Sequence, residues 1–149
     1  MSFIHEILYQ TKDFSNINFK DYILSIVNNL SHSYRTNSNV IFEFDIDNIS
    51  LHLDTSIPCG LIINELISNA FKYAFPDGKR GKITVRIKKK GNKIDLEVSD
   101  NGIGFPKTVD FKNTNSLGLQ LVNSLTDQVN GKITLTSVKG TKFLITFNQ

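Results

Sequence analysis

Cysteine is nearly missing from this chain, with one residue, Cys59, in 149. A single thiol excludes an internal disulfide framework and fits a reducing compartment. Lying in Ser56-Ile57-Pro58-Cys59-Gly60, it reads as packing near a helix start rather than as a nucleophile. Long apolar runs are missing too: none could span a bilayer, and no signal-peptide pattern is present, so a soluble, cytoplasmic chain is expected. Nor does one sign of charge dominate, because 17 Lys and Arg against 14 Asp and Glu leave a formal net charge of +3. That balance suits an anionic ligand but lacks the dense basic face of a polyanion binder, so nucleic acid is not an expected partner. Internal repeats and low-complexity segments are absent, and 149 residues with 40% hydrophobic content have the size of one domain with one core.

What is present is periodic. Within residues 3–10, Ile4, Ile7 and Leu8 recur at helical spacing without a start signal, which predicts the end of a helix whose earlier turns are missing. Asn18 can cap a second helix, ending near Ser33, in which Phe19, Tyr22, Ile23, Ile26, Val27 and Leu30 share a face. Residues 40–46 and 49–53 alternate like strands, and Asp47-Asn48 between them predicts a hairpin. Pro58 fits a first helical turn, from which a helix runs to about Phe75 and ends at Pro76-Asp77-Gly78. Strands follow over residues 82–89 and 93–99; in the second, Ile94, Leu96 and Val98 face inward. Lys88, Lys89 and Lys90 read as a solvated strand end. Residues 100–115 carry glycines, a proline and polar side chains without an apolar period, and predict a functional loop. A helix over residues 117–129 and strands over 133–137 and 142–147 complete a mixed sheet with helices on one face.

Three clusters carry chemistry. On the central helix Ile63, Leu66, Ile67, Ala70, Phe71 and Ala74 form a core stripe, while Glu65, Ser68, Asn69 and Lys72 form the opposite one. A carboxylate and an amide oxygen are hard donors suited to Mg²⁺ beside nucleotide phosphates, and the lysine would meet a phosphate as a point charge. Taken alone, that stripe is more simply explained as a solvated helix face. The second cluster, Asp100-Asn101-Gly102-Ile103-Gly104-Phe105, follows an inward-alternating strand. An ionised carboxylate only accepts hydrogen bonds, so Asp100 would select the adenine amino group over the guanine carbonyl. Gly102 and Gly104 would let backbone approach a flat base, although an Asn-Gly turn accounts for the six residues equally well. In the third, Asn115-Ser116-Leu117-Gly118-Leu119-Gln120-Leu121-Val122, a loop becomes a helix whose free N–H groups suit a phosphate. P-loop and dinucleotide fingerprints are absent, which disfavours those folds.

Together these clusters resemble the ATP-binding catalytic domain of sensor histidine kinases, in the superfamily of DNA gyrase, Hsp90, MutL and histidine kinase ATPases. Residues 64–73 are similar to its asparagine box, 100–105 to its first glycine box, 116–122 to its second, and Gly140-Thr141-Lys142-Phe143 to its closing motif. Ile57-Pro58-Cys59-Gly60-Leu61, Tyr73-Ala74-Phe75-Pro76-Asp77-Gly78 and Leu119-Gln120-Leu121-Val122 resemble the second histidine-kinase subclass, related to the HWE kinases. The resemblance implies an α+β, two-layer sandwich of Bergerat type over residues 17–149, with 1–16 as the end of a dimerisation hairpin plus linker. It implies ATP and Mg²⁺ as cofactors, with Asn69 and Glu65 at the metal and Glu65, Asn69 and Lys72 as the catalytic set. Lys72 and Tyr73 would contact phosphates, Asp100 the adenine amino group, and Thr141 the vicinity of the base. Gly102, Ile103, Gly104 and Phe105 would border the nucleotide, Ser116, Leu117, Gly118 and Leu119 its phosphate end, under a mobile lid over residues 107–115. Glu65 stands where many histidine kinases have asparagine and gyrase-like enzymes have the glutamate that activates water; orientation of a metal-bound water and slow hydrolysis are both open.

The family's phosphoacceptor motif, resembling His-Arg-x-Lys-Asn-Asn, is absent. His5 matches the end of the second hairpin helix instead, and His32 and His52 read as ordinary residues. The chain is therefore expected to be the nucleotide-binding piece of a longer kinase, with a phosphoacceptor hairpin and a response regulator as partners and a homodimer only at full length. A serine kinase of the anti-sigma-factor type, a nucleotide-regulated binding module without catalysis, and a basic domain docking on nucleic acid are the rival readings.

Overall fold

The computed structural model describes residues 16–33, 39–76, 80–106, 110–113 and 116–149. The helix expected over residues 3–10, with His5, lies outside the described residues, as do Asp77, Gly78, Asn115 and parts of the expected lid.

After a two-residue strand β1 (Ile17–Asn18), helix α1 spans Phe19–Ser33. Asn18 caps it, its Oδ1 accepting from the Asp21 N–H at 3.2 Å. All six residues of the expected apolar stripe, Phe19 to Leu30, are buried.

Strands β2 (Val40–Ile46) and β3 (Ser50–Leu51) do not form the expected hairpin. Instead, β2 pairs parallel with β4 (Gly81–Lys90) and β3 antiparallel with β1. The Asp47 N–H donates to Ile87 O at 2.9 Å, and its Oδ2 accepts from the Lys89 N–H at 3.0 Å. These bonds prolong the β2–β4 ladder where the Asp-Asn pair was expected to reverse it. Ile49 then drops into the core, its carbonyl accepting from the Phe19 N–H at 3.0 Å. Lys88 pairs with Asp45 and Asp47, so the lysine run is only partly a solvated strand end.

Helix α2 (Leu53–Asn69) also begins five residues before Pro58. His52 caps it, Nδ1 accepting from the Asp54 N–H at 3.1 Å, so the end of the expected second strand is a first helical turn. Pro58 lies inside the helix and removes one of its hydrogen bonds. Beyond Asn69 the helix widens into a π-helical turn, Ala70–Ala74, in place of the α-helix expected to about Phe75.

Strands β5 (Lys93–Asp100), β6 (Lys132–Thr136) and β7 (Thr141–Asn148) complete a five-stranded sheet of order β2-β4-β5-β7-β6. Only β2–β4 is parallel, which makes the sheet mixed as expected. One face is apolar: Ile83, Val85, Ile87, Ile94, Leu96, Val98, Phe143 and Ile145 are buried beneath the helices. Helix α3 (Leu117–Gln128) and α1 flank α2 in that layer. The other face carries cross-strand ion pairs, Lys82–Glu43 at 3.0 Å and Lys142–Glu97 at 3.3 Å. The exposed Lys82–Glu43 pair contributes only about 0–1 kcal/mol, and in the other the Glu97 side chain is largely covered, but this charged face leaves the helices to one side.

Helices α1 and α2 touch closely, since a Cβ on Gly60 would lie 2.6 Å from the Tyr22 hydroxyl oxygen. That hydroxyl has no partner among the described residues. Beside it the Cys59 thiol is fully buried and its pKa is pushed up to about 12 by burial, which suits packing and not nucleophilic chemistry. No described helix is long and apolar enough to cross a membrane.

Candidate functional site

The π-helical turn positions the first two clusters against each other. Ala74 ends it, and its carbonyl accepts from the Ile103 N–H at 3.0 Å. A Cβ on Gly102 would lie 2.2 Å from that carbonyl oxygen, so the loop after β5 can seat on the helix end only with glycine there. An extra residue in a helical turn is a recurrent device at functional sites. Here it turns the helix end toward the strand that carries Asp100.

Asp100 is the last residue of β5 and lies opposite Thr141, the first of β7. Its Oδ1 accepts from the Gly102 N–H at 2.9 Å and the Thr141 N–H at 3.3 Å. The two donors fix the carboxylate's orientation, and Oδ2 has no protein donor among the described residues. Burial pushes the Asp100 carboxyl above the usual carboxylate range, outweighing both N–H bonds, which act the other way. The chemistry is that of a half-buried acceptor with one open oxygen.

The third cluster meets the first from above. Ser116 caps α3, its Oγ accepting from the Leu119 N–H at 3.5 Å. A Cβ on Gly118 would lie 2.8 Å from Glu65 Oε2 and 3.9 Å from Asn69 Nδ2. The carboxylate, the amide and the positive end of a twelve-residue helix therefore share one spot. No group of three His, Cys, Asp or Glu side chains is placed to hold a metal ion among the described residues. One carboxylate and one amide nonetheless fit Mg²⁺, a hard cation that takes its remaining ligands from phosphates and water.

Between these walls lies a cavity of about 400 Å³. Of the expected site residues, Asn69, Tyr73, Asp100, Ile103, Gly104, Phe105, Ser116, Leu119 and Thr141 line it. Gly102 faces Ala74 instead, and Glu65 and Gly118 meet at its phosphate-suited end without lining it. Lys72, exposed on the π-helical turn next to Tyr73, and Leu117, 82% exposed, do not line the cavity. Ser68, expected on the polar stripe, is buried. Leu66, Ala70 and Val98, expected only to face the core, form an apolar lining together with Phe143 of the closing motif.

Ser137 was missed, and Gly140, part of the expected closing motif, was given no role of its own. The Ser137 Oγ accepts from the Phe105 N–H at 2.8 Å, and a Cβ on Gly140 would lie 2.0 Å from Asp100 O. The Gly140-Thr141 turn pointed to the second residue; a lone turn serine gave no signal. Within the expected lid, residues Phe111–Asn113 form a short 3-10 turn. Phe111 packs edge-on to Phe143 at 5.8 Å, and its carbonyl accepts from the Asn123 Nδ2 at 2.8 Å, so this stretch has an apolar anchor although it shows no apolar period.

Residues 55–149 match the family described as histidine kinase-, DNA gyrase B-, and HSP90-like ATPase, and residues 1–34 match a family described as histidine kinase. Over 66 residues the chain is 36% identical to the sensor histidine kinase PdtaS of Mycobacterium tuberculosis, covering 44% of this chain and 13% of that protein. It is 28% identical over 91 residues to blue-light-activated histidine kinase 2 of Erythrobacter litoralis, covering 60% and 26%. The chain thus spans well under half the length of these relatives. Among solved structures, a histidine kinase domain from the Erythrobacter litoralis EL346 blue-light activated histidine kinase superposes with a TM-score of 0.87 at 22% identity, over 97% of this chain and 75% of that one. The Acinetobacter baumannii histidine kinase AdeS does so with 0.74 at 18%, over 99% and 72%. At these identities the superpositions speak for the fold.

Proposed function

This chain belongs to the histidine kinase-, DNA gyrase B- and HSP90-like ATPase family, and from that premise we propose that it is the Mg·ATP-binding catalytic domain of a sensor histidine kinase. Its product would be a phosphohistidine on a helical hairpin of the longer protein. The observation that carries this reading is the cavity joining the Asp100 carboxylate to Asn69 and the N-terminus of α3.

Each end has its own chemistry. Asp100 accepts from the adenine amino group while the apolar lining, Val98 and Phe143 among it, takes the base's surface. Asn69 and Glu65 hold the cation, and Lys72, reaching from the adjoining turn, meets the phosphates. Bound Mg²⁺ neutralises charge on the phosphates. In the transfer, the lone pair of a hairpin histidine forms the new P–N bond as the bond from the γ-phosphorus to the ADP oxygen breaks. The protein's share is to align the triphosphate and exclude water, which suits a site with few ionisable groups. A response regulator then takes the phosphoryl group, and the hairpin brings two copies of the full-length kinase together.

Thermal unfolding with added nucleotide tests the reading. Saturation at a hundred times Kd stabilises a protein by about 2.7 kcal/mol, which for a domain of this size raises Tm by roughly 5–10 °C. ATP with Mg²⁺ is expected to give such a shift and GTP none. With labelled ATP and an added phosphoacceptor hairpin, acid-labile phosphate is expected on the hairpin and none on this chain. Equal shifts with GTP would contradict the adenine assignment, and acid-stable phosphate on a protein partner would favour the serine kinase.

A further inference from the structure

We infer that Ser137, which no motif marks, is a positioning residue for adenine recognition: its hydroxyl bolts the two loops of the base-binding wall together. The inference rests on the ATP reading above and concerns how that wall is made selective.

The wall consists of two separate stretches. One is the loop after β5, from which Ile103, Gly104 and Phe105 line the cavity; the other is the turn before β7, from which Thr141 does. Ser137 belongs to neither lining, yet its Oγ accepts from the Phe105 N–H at 2.8 Å and donates to Gly140 O at 3.2 Å. A looser contact to Phe105 O, at 3.4 Å, competes for the same proton. The fit is close, since a Cβ on Gly104 would lie 2.9 Å from this oxygen.

On the far side the chain of bonds continues into the acceptor itself. Gly140 lies against the Asp100 carbonyl, and the next N–H, of Thr141, donates to Asp100 Oδ1 at 3.3 Å. One hydroxyl thus connects the loop that borders the base to the turn that aims the carboxylate. Remove it, and the half-buried Phe105 N–H loses its acceptor while the Gly140 turn loses a donor, so both loops must settle separately whenever nucleotide binds. Phe105 also packs edge-on to Phe143 at 6.1 Å, so the ring alone would still hold one loop near its place. The hydroxyl therefore bears on register more than on closure.

The test is calorimetry of Ser137→Ala with Mg·ATP and Mg·GTP, beside wild type and Ser137→Thr. Loss of one such bond should weaken ATP about tenfold. The ATP-to-GTP affinity ratio should fall with it, and Ser137→Thr, which keeps the hydroxyl, should recover most of both. A structural role alone would lower the melting temperature without moving that ratio. An unchanged ratio in a folded Ser137→Ala protein overturns the inference while leaving ATP binding intact, whereas a wild type that binds no ATP overturns both. Should Ser137→Ala not fold, hydrogen exchange in wild type decides. Protection of the Phe105 amide comparable to the β7 amides upholds the bond, and exchange at open-loop rates overturns it.

Discussion

Asp100→Asn is expected to leave the free domain as stable as before, or slightly more so, and to weaken ATP by on the order of a hundredfold. The stability half follows from the raised carboxyl pKa. Burial makes the ionised form of Asp100 less favourable in the folded chain than in the unfolded one. Between the usual carboxylate range and the raised folded value the native state holds more protons than the unfolded state. This group's contribution to stability is therefore fully present below the unfolded pKa and is lost as pH rises through the folded one. An amide escapes that loss while its oxygen can still accept from Gly102 and Thr141. Melting temperatures of variant and wild type should accordingly diverge with rising pH through that window and run parallel above it.

The binding half follows from what the amide turns outward. With the oxygen held by two N–H groups, the NH₂ faces the cavity and opposes the adenine amino group, donor against donor. Purines that carry a 6-carbonyl gain relative to ATP, so the ratio of ITP to ATP affinity should rise well above that of wild type. Wild type itself should lose ATP affinity as pH falls through the raised Asp100 pKa, because a protonated carboxyl accepts less well. Calorimetry across pH, with unfolding of the free proteins alongside, checks both halves. Full ATP affinity in Asp100→Asn would remove the carboxylate from recognition.

Gly140→Ala is expected to be the most damaging single-methyl change near the site. Gly140 has φ +92°, a region that L side chains rarely adopt, and an added Cβ would lie 2.0 Å from Asp100 O and 2.9 Å from Asn101 Cα. Both neighbours are backbone, so no rotamer change relieves the contact, and β7 must move away from the end of β5. Strain and overlap together should cost about 3 kcal/mol or more, a fall in Tm of roughly 6–12 °C for a domain of this size. Because the Thr141 N–H moves with the turn, the surviving fold should also bind ATP more weakly. Circular dichroism melts read the first effect and calorimetry the second. A methyl accommodated without loss of stability would mean that the turn is set otherwise than described.

The order of elements, the mixed sheet and most of the apolar face were legible because strands and helices here keep their periods. Ile94, Leu96 and Val98 alternate inward, and the six residues of α1 share a stripe, as read. The hairpin at Asp47 was misread because its bonds go to Ile87 and Lys89, some forty residues away, which no local turn rule reports. The start of α2 was misread because His52 is an uncommon cap, while Pro58 is a familiar sign of a first turn. The π-helical turn was equally invisible, since the bond made at its end, from the Ile103 N–H to Ala74 O, joins distant segments. In the cavity, charged and glycine-rich stretches announced themselves. Val98 and Ser137 did not, because an apolar wall reads as core and a single serine as a turn.

The central claim is that three separated stretches close on one nucleotide, with adenine at Asp100 and the cation at Asn69 and Glu65. Paramagnetic broadening by Mn²⁺ in place of Mg²⁺ tests it most directly. With ATP present, amide signals of Asn69, Glu65 and Gly118 should be broadened most and those of Asp100 and Thr141 less, while the latter shift on nucleotide binding. Broadening centred elsewhere, or the same pattern with Mn²⁺ in the absence of ATP, would contradict it.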